Sequence, residues 1–184
     1  MPTVAFFCVA YFCFCWLQVN GLQEFDFLPM ASILYLPAGI KFLAMLVGGP
    51  WGVLGIAVGK IWVDQYLGND FSLTGEITHQ LVWLIFPYAC LHLYLQKKNL
   101  KYSLDGITTY DLLVLSVLVS FASSLATQLY FFEVSNPQSH ILKGIWAMTV
   151  GDLSGILLMC GLIIVVKRCI PSISEGQTNS TTRR

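Results

Sequence analysis

Six apolar runs, each near the length needed to cross a bilayer, follow one another through this chain with short polar breaks between them. They cover approximately 3–20, 28–47, 50–68, 78–96, 109–132 and 143–166. A helix crosses the hydrocarbon core with about 20 apolar residues. Backbone in lipid must satisfy its own hydrogen bonds, which leaves helices and closed barrels. The runs lack strand-like alternation, so the fold class is all-α: a polytopic transmembrane helical bundle of about six spans. The breaks carry turn signals, namely Asn20-Gly21, Gly48-Gly49-Pro50, Gly68-Asn69-Asp70, Lys97-Lys98-Asn99 and Ser135-Asn136-Pro137. Residues 1–168 read as one membrane domain, and 169–184 as a short disordered cytoplasmic tail.

Composition agrees. Of 184 residues, 56% are hydrophobic and 11% charged, whereas soluble domains are about a quarter charged. A soluble domain of this size could not hide so much apolar surface. Ten basic and ten acidic residues balance, which argues against nucleic acid as a partner. The first run lacks a basic leader and a small-x-small cleavage site, so it reads as a retained span. Cys8, Cys13, Cys15, Cys90 and Cys160 lie in apolar runs with no CxxC spacing, where cysteine acts as a small hydrophobe. No metal site is expected.

Loop charges set the orientation. Glu24 and Asp26 follow the first run, Asp70 and Glu76 the third, and Glu133 and His140 the fifth, with Lys143 at the start of the sixth. Lys97, Lys98 and Lys101 follow the fourth, and Lys167, Arg168, Arg183 and Arg184 the sixth. Six spans with both termini inside place every basic cluster in the cytoplasm. The sequon at Asn179 then lies in the cytoplasm, out of reach of glycosylation.

Small residues four apart let helices approach closely in lipid. Gly48/Gly52 and Gly55/Gly59 do this in the third run and Gly151/Gly155 in the sixth; Ser116, Ser120 and Ser124 share a face of the fifth. Pro37, in the middle of 28–47, is expected to kink that span, with Gly39 adding to the irregularity.

Within the apolar runs stand Lys41, Lys60, Asp64, Gln128 and Asp152. A charge at mid-bilayer costs roughly 2.5–3.5 kcal/mol and therefore faces inward and pairs. Lys60 and Asp64 have the i, i+4 spacing of an intrahelical pair. Lys41 then needs an acid, and Asp152 stands at similar depth, so contact between them is expected. The network reads first as a device that fixes helix assembly, next as a ligand- or signal-contacting cluster, and last as a proton or ion path. His79 and His92 read as interfacial residues. No nucleophile elbow, HExxH or P-loop occurs, and no catalytic residue or cofactor is expected.

Residues 36–55, LPAGIKFLAMLVGGPWGVLG, resemble the Pro-Ala/Ser-Gly and Gly-x-x-x-x-Gly signature of MASE1 domains. Residues 146–168 are similar to that family's closing helix, with its Trp and Gly/Ala-Asp-x-x-Gly-x-Leu pattern. The resemblance places Pro37, Gly39, Lys41, Trp146, Asp152 and Gly155 at characteristic positions. It implies a sensory module of the bacterial inner membrane, usually joined to a histidine kinase, diguanylate cyclase or phosphodiesterase. Here it implies a free-standing module that signals to a separate membrane or cytoplasmic partner, with room for a small-molecule ligand. Gly49-Pro50-Trp51-Gly52 with Gly55 and Gly59 is also similar to a run in the substrate-binding components of energy-coupling-factor vitamin transporters. A structural subunit of a membrane complex is the third expectation.

Overall fold

Proline and glycine decide where the helices begin and end. The computed structural model describes residues 1–22, 26–28, 31–68, 73–102, 106–135 and 141–169. Six helices are present: α1 (Pro2–Gly21), α2 (Leu36–Val47), α3 (Gly49–Tyr66), α4 (Leu73–Lys97), α5 (Thr109–Ser135) and α6 (Ile141–Cys169). A small antiparallel hairpin, β1 (Asp26–Leu28) with β2 (Ala31–Ser32), precedes α2. The expected tail over 170–184, with Arg183 and Arg184, lies outside the described residues, as do Glu24, Asp70 and His140.

The sequence predicts one span over 28–47, kinked at Pro37, and the structure differs. Pro37 occupies the first turn of α2, where a missing amide costs nothing and the fixed φ suits the helix. It therefore opens a helix instead of bending one. The 12 residues of α2 rise only about 18 Å, short of the roughly 30 Å hydrocarbon core.

Three helices are long and apolar enough to cross a membrane by themselves, over Pro2–Gly21, Thr109–Tyr130 and Leu142–Val165. In α3 the Lys60/Asp64 pair dilutes the apolar run, and α4 opens on a polar turn holding Glu76, His79 and Gln80.

Successive helices run in opposite directions. Gln18 of α1 meets the start of α2, and Phe7 faces Gly48 just past its end. Gly55 and Gly59 of α3 lie against Val4 and Cys8, so α3 runs parallel to α1. Tyr94 bonds Asp111 and Tyr130 bonds Gly75, which makes α4 and α5 antiparallel. Gln128 covers Gly144, and Gly39 abuts Met159, which sets α6 antiparallel to α5 and parallel to α2.

The α2–α3 turn needs its glycines. Gly49 has φ +53°, and a side chain on Gly52 would strike the Ala44 carbonyl. At the same end of the bundle, where Tyr102 lies against Gly49, Asn99 adopts φ 54°, while Leu100 N–H reaches the Leu95 carbonyl at 2.9 Å and closes α4. Thr108 and Asp111 then cap α5 reciprocally, each side chain accepting the other's amide.

The shortest helix is the central one. All residues of α2 from Leu36 to Leu46 are buried, and it touches each of the other five helices. Its composition explains this, since a helix apolar on every side has no face to give to water. The outer surface is apolar too: Trp51, Trp62, Leu81, Ile85, Leu158 and Val165 are exposed, as a lipid-facing surface requires.

Candidate functional site

Lys41 lies in the second turn of α2 and is 1% exposed. Its ammonium donates to Ser123 Oγ of α5 at 2.5 Å and stands 3.6 Å from Asp152 Oδ2 of α6. Ser123 thus holds the ammonium from α5 while Asp152 faces it from α6. On the remaining side Nζ sits 4.2 Å from the centre of the Trp83 ring of α4, a cation–π contact strengthened by exclusion of water. Four helices thus converge on one ammonium group. The expected Lys41–Asp152 contact is present.

The backbone before α2 reaches this region without helical hydrogen bonds, so other groups must supply partners. Gln18 of α1 does this twice. Its Oε1 accepts Leu36 N–H at 3.2 Å, and its amide donates to Ser32 Oγ at 3.2 Å. Tyr35 N–H donates to the Gly151 carbonyl at 3.2 Å, and Ser154 Oγ donates to the Ile33 carbonyl at 2.5 Å.

Glycine explains how α6 admits that chain. A Cβ at Gly151 would collide with the Ser32 carbonyl, one at Gly155 with the Tyr35 carbonyl, and one at Gly39 with Met159 and the Gly155 carbonyl. In Gly151-Asp152-Leu153-Ser154-Gly155, the glycines receive irregular backbone, the serine bonds it, and the aspartate faces Lys41. Backbone outside a helix needs partners for its amides and carbonyls where water is excluded, and here α1 and α6 supply them.

The other sequence-predicted residues fall into separate groups. Lys60 and Asp64 pair within α3, with side chains 16% and 7% exposed. Gly52, Gly55 and Gly59 lie where α3 meets α2 and α1. Gln128 is not brought to the Lys41 pair; its amide reaches Met148 Sδ at 3.1 Å on α6. Trp146 is 67% exposed, so it shares a helix with Asp152 but takes no part in the seam with α2.

His79 is half-buried, stacked on Trp83 and 5.0 Å from the Tyr130 ring. At the opposite end His92 bonds Tyr102, whose hydroxyl also accepts from Tyr88 at 3.1 Å. Burial beside Tyr88 holds the Tyr102 phenol well above its ordinary range.

Gln18, Trp83, Ser123 and Ser154 were not singled out by sequence. Gln18 had a usable signal, being an amide inside an apolar run, where a polar group needs a partner. Ser123 and Trp83 had none, because the depth at which α4 and α5 pass α2 depends on register between helices. Among the described residues no three His, Cys, Asp or Glu side chains gather as a metal would require. Comparison with protein-family models, with curated proteins and with solved structures gives no match.

Proposed function

We propose that this chain is a six-span, N-in/C-in module of a bacterial inner membrane, similar to MASE1 sensors, in which the α2–α6 seam changes state and a separate signalling protein reads the change. One observation carries the reading. The two stretches that hold the resemblance, 36–55 and 146–168, meet in space, joined through Lys41 and Asp152, with Ser123 bonded to the ammonium.

A neutral ion pair across three helices holds one register while both partners are present. It loses that register when a proton or a ligand group displaces one of them, because the remaining charge is then buried alone. That is the behaviour a bistable element needs. The chain acts without a catalytic residue of its own in this reading. The alternating helix directions support the topology, since they bring Lys97, Lys98, Lys101 and the α6 C-terminus to one side. With α2 too short alone, the second crossing in this reading includes the segment from Ser32 to Tyr35 that packs on Gly151 and Gly155 of α6.

Reporter fusions test the topology. Alkaline phosphatase fused after Gly68 is expected to be active, and a cytoplasmic fluorescent reporter is expected to shine after Lys101 and after Cys169. Phosphatase activity after Lys101 overturns the arrangement. Cross-linking in native membranes followed by purification tests the role. A kinase or cyclic-dinucleotide enzyme recovered with the wild type, and lost with Asp152→Leu, supports the sensor. Recovery of transporter ATPase subunits overturns it in favour of a substrate-binding transport component.

A further inference from the structure

A groove of about 200 Å³ opens between α2, α5 and α6; on α2 it begins at Leu43, two residues past Lys41, and on α5 and α6 it lies two or more turns from Ser123 and Asp152. Its floor is Leu43 and Cys160, both buried, and its walls include Leu112 and Ile163. Thr108, Thr109 and Ile164 form its mouth and are exposed, Ile164 at 44%. The groove therefore faces sideways, into the surroundings of the bundle. An apolar slot at this place in lipid fills with hydrocarbon.

The rim is basic. Lys98 and Lys101 lie on the loop that leads into α5, and Lys98 Nζ stands 3.5 Å from Asp111 Oδ1, with half its side chain exposed. Lys101 is exposed, and no ion pair involving it is recorded among the described residues. Among the described residues, Asp111 at the start of α5 is already engaged by Lys98, by Tyr94 at 2.8 Å and by Thr108 at 2.6 Å. Apolar walls beneath an excess of positive charge suit one kind of occupant.

We propose that this groove seats an acyl chain of an anionic phospholipid of the inner leaflet, with the lipid's phosphate held at the lysine rim. The site rests on the reading of the chain as a membrane protein with its basic end inside, but not on signalling. It sits where Leu43, one turn after Gly39, and Cys160, one residue past Met159, continue the α2–α6 seam. A bound lipid there braces the same two helices that hold Lys41 and Asp152.

The test uses the full chain purified into nanodiscs with equal phosphatidylglycerol and phosphatidylcholine of matched chains, then native mass spectrometry of the lipids that stay bound. Retained phosphatidylglycerol is expected to exceed phosphatidylcholine. Lys101→Gln is expected to lower that preference about five-fold, the worth of one lysine near a charged headgroup. Ile164→Trp, which fills the mouth, is expected to abolish retention. Ile107→Trp fills the groove from the loop side and gives the same reading if the first variant is not monodisperse. Equal retention of the two lipids overturns the proposal, and so does a preference untouched by both tryptophans. Because lipid retention is read on the isolated chain, its failure leaves partner capture as a separate result, and failure of partner capture leaves the lipid site standing.

Discussion

The protein buries two lysine–aspartate pairs, and they are built in opposite ways. Lys60 and Asp64 sit four residues apart on one helix, part-buried, and close locally wherever α3 goes. Lys41 and Asp152 sit on different helices, with Ser123 from a third bonded to the ammonium and Trp83 from a fourth covering it. The first pair neutralises charge that one helix carries. The second forms only when α2, α5 and α6 have the right register, so it reports on the assembly. A change of state in the bundle can break the second pair and leave the first intact.

Removing one member of the long-range pair separates the two most strongly. Lys41→Met or Asp152→Leu is expected to cost about 3–5 kcal/mol, because the partner is left charged and buried. The double neutral variant is expected to lose less than either single change. Denaturant unfolding in micelles, run as a double-mutant cycle, reads the coupling. Additive losses would show that the two residues do not act as a pair. The reversed pair, Lys41→Asp with Asp152→Lys, is expected to recover membrane expression that each single reversal loses.

The glycine seam comes next. Gly155→Leu drives a side chain into the Tyr35 carbonyl, and overpacking of this kind costs about 1–3 kcal/mol. Gly161→Leu on the same helix meets nothing within 4 Å, and is expected to leave the unfolding midpoint unchanged. Equal effects at the two glycines would mean that the α2 entry segment does not pack on α6. Gln18→Leu probes the same segment from α1. It strands the Leu36 amide and removes one partner of the Ser32 hydroxyl, which keeps its bond to the Leu34 carbonyl, with an expected loss of about 1–3 kcal/mol and faster hydrogen exchange at Leu36.

These residues also mark what could be read from the chain alone. The helical class, the turns at Gly48-Gly49 and Lys98-Asn99, and the partnership of Lys41 with Asp152 follow from length, turn chemistry and the cost of an unpaired charge. The start of α2 did not follow. A long apolar run looks the same whether it is one helix or a hairpin and a short helix, and Pro37 fits either a kink or a first turn. The hydrogen bonds from Gln18, Ser154 and the Gly151 carbonyl decide it, and all three come from distant helices. Small-xxx-small spacing correctly marked Gly151 and Gly155 as a close-approach face. It could not show that the approaching chain is a non-helical segment and not another helix.

The local pair gives the smallest expected effect. Lys60→Gln keeps a donor on α3 beside Asp64 and removes one charge. The i, i+4 geometry is worth about 0.3–0.5 kcal/mol in exposed helices, and polar contacts inside membrane bundles average about 0.6 kcal/mol. The glutamine amide can still donate to Asp64 from the same helix face, whereas Lys41→Met leaves Asp152 facing an apolar side chain. Lys60→Gln is therefore expected to shift unfolding by about 0.5 kcal/mol and to leave partner capture at the wild-type level. A loss as large as that of Lys41→Met would remove the distinction between the pairs and move the state-dependent contact to α3.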